Sequence, residues 1–284
     1  MTHIASIHAA GASDIGRMRT NNEDSFLVDD ALRLYIVADG IGGRQSGEMA
    51  SKLIVDIMRD YFRQSPGSDC DEMRIINDDT LTPEANQLLS GIVLANRGIY
   101  DLSEQQDQYR QMGSTVAAVV LTEATLIAAN VGDSPIYLIH GDRIESLSVT
   151  HNVETELAAI NPEKLNRIGK TYRTMLTRAV GIADSVDPHI CETPFFKDDR
   201  IILCSDGLSN KVSLQEIVLA VTTQRPGSAC NNLIKLANDR GGEDNITIVI
   251  IHLMQDAGIV NRFIDFFSKI RYGVKKLFSF ALSR

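Results

Sequence analysis

No stretch between residues 1 and 255 is long and apolar enough to cross a bilayer, and Met1-Thr2-His3-Ile4-Ala5 offers no charged segment leading into an apolar one. A membrane-spanning or exported chain is therefore not expected. Cysteine is scarce: Cys70, Cys191, Cys204 and Cys230 are scattered, with no pair at zinc-ligand or redox-motif spacing. This points to a reducing cytoplasm. Cys204, inside an apolar run, reads as a small buried hydrophobe rather than a reactive thiol. Excess positive charge is missing too, and a net charge of -9 argues against binding of nucleic acid or anionic membrane by the body of the protein. There is no internal repeat and no low-complexity segment.

What is present is a chain of 284 residues with 44% hydrophobic and 23% charged content, ordinary for one globular domain plus a tail. Leu34-Tyr35-Ile36-Val37-Ala38 reads as a buried strand entering a turn at Asp39-Gly40. Apolar spacing from Glu48 to Phe62 predicts a helix, and Thr82-Pro83 reads as the cap and first residue of a second. Thr115 to Leu121, Thr125 to Val131 and Pro135 to His140 read as three strands of one antiparallel meander. Arg200 to Cys204 and Ile246 to Leu253 are further strands. Ser213-Leu214-Gln215-Glu216 offers a capping box for a helix reaching Val221, and Ser228 opens another. Residues 152 to 177 are polar and irregular around a weak helix, Val153 to Ile160, and are expected to form a flap. Strand and helix clusters that do not alternate regularly predict an α+β fold.

Five short blocks carry the chemistry: Asn22-Glu23-Asp24, Asp39-Gly40-Ile41-Gly42-Gly43, Gly132-Asp133-Ser134, Ser205-Asp206-Gly207 and Gly242-Glu243-Asp244-Asn245. Each sets an aspartate beside a strand-like run. One aspartate before a glycine is explained equally well as a turn former. Turn chemistry does not explain why the acids recur beside strands able to gather them at one end of a sheet. Hard cations such as Mg²⁺ and Mn²⁺ take carboxylate, carbonyl and water oxygens, and two of them side by side clamp a phosphoryl group for in-line hydrolysis by an activated water. No cysteine has the surroundings of a thiolate nucleophile.

The blocks Arg19-Thr20-Asn21-Asn22-Glu23-Asp24-Ser25-Phe26, Val37-Ala38-Asp39-Gly40-Ile41-Gly42-Gly43, Gly47-Glu48-Met49-Ala50, Gly113-Ser114-Thr115, Asn130-Val131-Gly132-Asp133-Ser134, Leu176-Thr177-Arg178-Ala179-Val180-Gly181, Cys204-Ser205-Asp206-Gly207 and Gly241-Gly242-Glu243-Asp244-Asn245-Ile246-Thr247, taken in order, resemble the bacterial branch of the PPM, or PP2C-type, serine/threonine phosphatases. The resemblance covers about residues 10 to 253. It implies a central β-sandwich of two antiparallel sheets flanked by helices (α-β-β-α), with a catalytic domain over 1–254 and a separate tail over 255–284. It also implies two, or with a third site three, Mn²⁺ or Mg²⁺ ions. Asp39 would bridge two ions, Gly40 would ligate one through its carbonyl, and Asp206 and Asp244 would ligate the other. Asp133 with Asp206 would form the third site. Asp24 and Glu23 would act through metal-bound waters, with Asn245 behind the ligands, and Arg19 would hold the substrate phosphate, as a planar guanidinium is suited to do.

Three departures from the family pattern stand out. Ile41 occupies the place of a histidine in the eukaryotic branch, Pro135 follows Gly132-Asp133-Ser134 where an arginine is usual, and Arg44 follows the glycine pair. His151 opens the flap and reads as structural. The implied partners are a phosphoprotein substrate and a cognate Ser/Thr kinase, with the protein a cytoplasmic monomer. The tail from Val260 carries six basic residues, Arg262, Lys269, Arg271, Lys275, Lys276 and Arg284, against Asp265. Val260, Phe263, Phe267, Ile270, Val274, Leu277 and Ala281 recur at helical spacing along it, so the tail reads as a basic amphipathic helix. Three settings stay open for it: an anionic surface at the inner membrane, a partner groove, or its own domain. Two other readings of the whole chain compete. A catalytically weak relative serving as a binding module would be expected to lose Asp39, Asp206 or Asp244, and a dinucleotide-binding protein would need a complete G-x-G-x-x-G.

Overall fold

The longest apolar runs become strands that are covered on both faces. In the computed structural model, which describes residues 6–42, 46–64, 75–123, 125–165 and 168–254, β1 (Ser6–Asp14), β2 (Asp24–Asp29) and β3 (Leu34–Ile41) lead into helices α1 (Ser46–Gln64) and α2 (Pro83–Gln105). A short β4 (Gly113–Ser114), then β5 (Val116–Leu121), β6 (Thr125–Val131), β7 (Ile136–His140) and β8 (Arg143–Ser146) follow. Three short helices, α3 (Val153–Ile160), α4 (Pro162–Leu165) and α5 (Lys170–Arg173), precede β9 (His189–Pro194) and β10 (Arg200–Cys204). The described chain closes with α6 (Asp206–Ser209), α7 (Leu214–Thr223), α8 (Pro226–Asp239) and β11 (Ile246–Met254). Gly43, Arg44, Cys70 and the tail from 255 onward lie outside the described residues.

The strands form two antiparallel sheets, ordered β1-β11-β10-β7-β8 and β2-β3-β5-β6-β9, with β4 paired to β3. Their side-chain alternation builds three apolar layers. Leu34, Ile36 and Ala38 of β3 pack under α1 and α2, while Tyr35 and Val37 between them face the opposite sheet. Likewise Ile246, Ile248 and Ile250 of β11 meet α7 and α8, and Val249, Ile251 and Leu253 join the layer between the sheets. The central strands β3, β5, β6, β10 and β11 are covered on both faces along most of their length, so they read as nearly unbroken apolar runs. The α-β-β-α sandwich expected from the resemblance is the architecture found.

Local signals for helices hold where they rest on capping chemistry. Thr82 Oγ1 accepts the Ala85 amide at 3.2 Å with Pro83 in the first turn, and Ser213 and Glu216 form the reciprocal capping box of α7. Helix α8 begins at Pro226, two residues before Ser228, because proline suits the first helical position.

The three-strand meander is corrected by the structure. β5 and β6 form a hairpin, but β7 pairs with β10 in the other sheet. Gly132 adopts a positive φ of 99°, and Pro135 has no amide hydrogen to continue a ladder. The chain leaves one sheet at that point and enters the other. The 152–177 segment is a closed excursion: an Asn152–Leu176 bridge and the Val153 N to Met175 O bond, 3.0 Å, join its ends. Helix α3 has the predicted bounds, with Asn152 as its cap.

Deleting side chain from the layer between the sheets should be costly. Ile251→Ala is expected to lose about 2–5 kcal/mol, whereas Leu219→Ala, on an α7 side chain left 64% exposed, should change stability by less than about 0.5 kcal/mol. Urea denaturation of both variants measures the difference.

Candidate active site

The alternation that fills the inter-sheet layer also delivers its acids. Tyr35, Val37 and Asp39 lie on one face of β3, so Asp39 continues the inter-sheet row at the end of the strand. Asp24 stands directly opposite Asp39 in the β2–β3 register, which places the two side chains on the same face. From the other sheet, Ser205 follows Leu203 of β10 and Asp206 opens α6. Asp244 and Asn245 immediately precede β11, and Asp133 sits in the β6–β7 crossover. Five aspartates from five chain segments therefore gather at one end of the sandwich.

Close backbone contacts hold this end together. A Cβ on Gly40 would lie 2.1 Å from the Gly47 carbonyl oxygen, so only glycine lets the start of α1 press against the end of β3. A Cβ on Gly207 would lie 2.0 Å from the Asn245 carbonyl oxygen, and the same reasoning applies between α6 and β11. Asn245 ties the loops: its Oδ1 accepts the Glu23 amide at 2.8 Å, and its Nδ2 donates to the Ile15 and Asn21 carbonyls, each at 2.9 Å. Asn245 thus sets the backbone that carries Arg19, Glu23 and Asp24.

The acids are not equivalent. Burial first, then the charges of Asp24, Asp206, Asp244 and Asp133, hold the Asp39 carboxyl well above the usual range. Burial pushes Asp24 up to about 6, opposed by hydrogen bonds from Thr247 and Ser205. Burial and Asp206 push Asp133 up to about 7. Asp206 is raised by burial and by Asp244, and is held back by hydrogen bonds with Asp39 and Asn210. Glu23 is raised mainly by burial, against the pull of Arg19. Arg19 itself pairs with Asp244, its guanidinium 2.9 Å from Oδ2.

The site employs several residues that the motif reading passed over. Buried Ser205 donates from Oγ to Asp24 Oδ2 at 2.8 Å and accepts the Thr247 amide at 2.9 Å. Thr115 Oγ1 takes the Asp39 amide at 3.0 Å and meets Ser134 Oγ at 2.7 Å, so the serine after Asp133 is a buried tether. His151 Nδ1 accepts the Gly132 amide at 3.1 Å, and the His151 amide donates to Gly132 O at 2.9 Å. Burial, Arg178 and His189 keep this imidazole's pKa low, consistent with an acceptor Nδ1 and a proton on Nε2. His151, expected to be structural, ties the start of the 152–177 excursion to the turn that carries Asp133. The sequence signal for these tethers is only their adjacency to the acidic blocks.

Asp24 Oδ1 is buried and has no hydrogen-bond partner among the described residues. An oxygen-only donor set with an orphaned carboxylate oxygen fits a hard divalent cation. Among the described residues, no three His, Cys, Asp or Glu side chains are yet drawn into a ligand cage. Asp244 and Asp206 are turned instead to Arg19 and Asn210. Cysteine chemistry finds no support among the described residues: Cys204 and Cys230 are buried, and burial raises both thiols, that of Cys230 up to about 12.

Two facing sheets between helix pairs, with acids gathered at one end, place the chain among the PPM-type phosphatase folds, and the comparisons with known proteins agree. The family model described as protein phosphatase 2C matches residues 10–229. A putative protein phosphatase 2C-type of Streptococcus pyogenes is 34% identical over 246 residues, covering 84% of this chain and 95% of that protein. The PPM Ser-Thr phosphatase MsPP of Mycobacterium smegmatis, solved with cacodylate, superposes with a TM-score of 0.71 at 31% identity, covering 89% of this chain and all of that one. The catalytic domain of the serine/threonine phosphatase PstP, solved with two manganese ions, gives 0.74 at 28% identity, covering 88% and 99%. The chain belongs to the protein phosphatase 2C family.

The raised carboxyls make a signed prediction. Between the unfolded value of roughly 3.9 and the folded values of about 6 for Asp24 and about 7 for Asp133, the folded state holds more protons than the unfolded one. Their contribution to stability is present below that window and lost as pH rises through it. In chelator, Asp133→Asn should gain melting temperature relative to wild type as pH rises from 5 to 7.5, measured by differential scanning calorimetry. A gap that does not change with pH, or that closes, contradicts the raised value.

Proposed function

We propose that this chain is a protein serine/threonine phosphatase that hydrolyses phosphoserine and phosphothreonine in proteins and so opposes a Ser/Thr kinase in bacterial signalling. The single observation that carries the site assignment is the convergence of Asp24, Asp39, Asp133, Asp206 and Asp244 at one end of a protein phosphatase 2C sandwich. The phosphatase named PstP was solved with two manganese ions, and the donor set here is suited to the same chemistry. In our reading Asp39, the Gly40 carbonyl, Asp206 and Asp244 would hold Mn²⁺ or Mg²⁺, Asp133 with Asp206 would offer a third position, and Asp24 and Glu23 would act through water. Such ions polarise a phosphoryl oxygen and acidify water at neutral pH.

The remaining work falls to the chain itself. Arg19, half-exposed and paired to Asp244, exchanges that carboxylate for the phosphate of the substrate and orients it by two parallel hydrogen bonds. Ser205, Thr247 and Asn245 hold Asp24 and Glu23 in place. Ile41 leaves no imidazole at its position to protonate the leaving oxygen, so that proton comes from water. Residues 152–177 act as a flap, since their neck is tied through His151 to the turn bearing Asp133. For the tail from 255, the basic amphipathic pattern supports an anionic membrane surface, a partner groove or its own domain as the setting. Among the described residues no helix is long and apolar enough to cross a membrane.

Hydrolysis of a phosphothreonine peptide with Mn²⁺, beside an identically prepared Asp39→Asn variant, tests the reading. Metal-dependent phosphate release that is lost in the variant is expected; no release from folded wild type with metal and a range of phosphoproteins would overturn it. Arg19→Lys should raise KM for the peptide about tenfold, the equivalent of about 1.4 kcal/mol, with a smaller change in kcat, measured by steady-state phosphate release.

A further inference from the structure

A polar pocket of about 270 Å³ lies between the end of β1 and helix α8, lined by Ser13, Asp14, Arg17, Asn231, Lys235 and Asn238 among others. It stands outside the acidic mouth but shares its loop. The Arg17 and Met18 amides donate to Gly242 O at 2.7 and 3.2 Å, which fixes the segment two residues before Arg19 and two before Asp244. The stem of Arg17 lies against Gly242, where a Cβ would stand 2.9 Å from its Cγ.

The charges in this pocket are unbalanced in a way the fold does not need. Among the described residues, neither the Arg17 guanidinium nor the Lys235 ammonium makes a hydrogen bond or ion pair. The lining carboxylate, Asp14, uses its Oδ1 for the Gly16 amide and Asn238 Nδ2, each at 2.9 Å, which leaves two cations in the lining against one anion. Two cations and the free amide of Asn231 are left facing a cleft from opposite walls. Arg17 and Arg19 are at most about 7 Å apart along the backbone, so the cleft is within reach, over about four residues, of an extended peptide whose phosphate is held by Arg19.

We propose that the Arg17–Lys235 pocket is a second anion subsite, which receives an acidic side chain of the substrate, either a carboxylate or a second phosphate, near the phosphoresidue under attack. The inference rests on the phosphatase reading above and adds a substrate preference to it. The pocket offers donors and no apolar floor large enough for an aromatic anchor, so it selects charge rather than shape. Because both cations are exposed, the preference is modest and fades as salt rises.

The test uses the full chain with Mn²⁺ and a set of phosphothreonine peptides. One peptide is neutral around the phosphothreonine, others carry a single aspartate at successive positions on either side, and one carries a second phosphoserine at the best position. For wild type, acid at one side of the phosphothreonine should raise kcat/KM about fivefold over the neutral peptide, for carboxylate, phosphate or both. Lys235→Glu should abolish or invert that ratio, while Lys235→Arg should keep it. The ratio is internal to each variant, so a general loss of activity does not mimic the effect. Equal kcat/KM across the wild-type series, or a preference undiminished in both Lys235→Glu and Arg17→Gln, would overturn the subsite while leaving the phosphatase intact. Absence of release from every peptide and from a small aryl phosphate would overturn both readings together.

Discussion

Mutual repulsion among five aspartates at the mouth of a dry inter-sheet layer is the constraint around which the rest of the molecule is arranged. Burial alone makes ionised Asp39 unfavourable, and the neighbouring carboxylates add to that cost. The fold answers it with local donors. Ser205 and Thr247 serve Asp24, Asn210 serves Asp206, and Arg19 serves Asp244. What these donors leave over, including the unpartnered Asp24 Oδ1, is the capacity for positive charge that a divalent cation fills. The same residues therefore suit the site to a divalent cation.

Bringing acids from both sheets to one point requires the chain to change sheets where the site lies. The crossover from β6 to β7 does this within four residues, through the positive φ of Gly132 and the missing amide of Pro135. Asp133 rides on that turn, and the turn is clamped from two sides, by Ser134 on Thr115 and by His151 on Gly132. His151 stands immediately before the excursion at 152–177, so the neck of that excursion is tied to the turn bearing Asp133. The departure at Pro135 is thus accommodated where a ladder hydrogen bond is not required.

Much of this was legible before any coordinates. Strands dry on both faces, such as Leu34 to Ala38 and Ile246 to Leu253, announce themselves as unbroken apolar runs, and capping residues mark helix starts within two residues. The acidic blocks could be read as one site because five of them share a setting. Strand β1 was not read: His8-Ala9-Ala10-Gly11-Ala12-Ser13 is small and weakly apolar, since the Phe26 ring occupies the space beside Gly11, where a Cβ would stand 2.5 Å from it. Sheet membership of β7 was misread because period-two patterning reports burial and not which neighbour provides it. Ser205, Thr115 and His151 stand in or beside the motif blocks, but what each one tethers is not legible there, because single polar residues gain that role only from partners distant in sequence.

A phosphatase built this way has its chemistry at the mouth and its selectivity around it. In the reading proposed above Arg19 serves the first and Arg17 the second, two residues apart on a loop held by Asn245 and Gly242. Burial at the mouth raises the Asp39 and Asp133 carboxyls, and a cation bound there displaces the protons they hold. Calorimetric titration of Mn²⁺ into chelator-treated protein at pH 6.5, repeated in buffers of different ionisation enthalpy, measures that displacement directly. Net proton release on binding, reduced in Asp133→Asn, is the expected result; binding with no dependence on the buffer, or no saturable binding by folded protein, would refute the displacement.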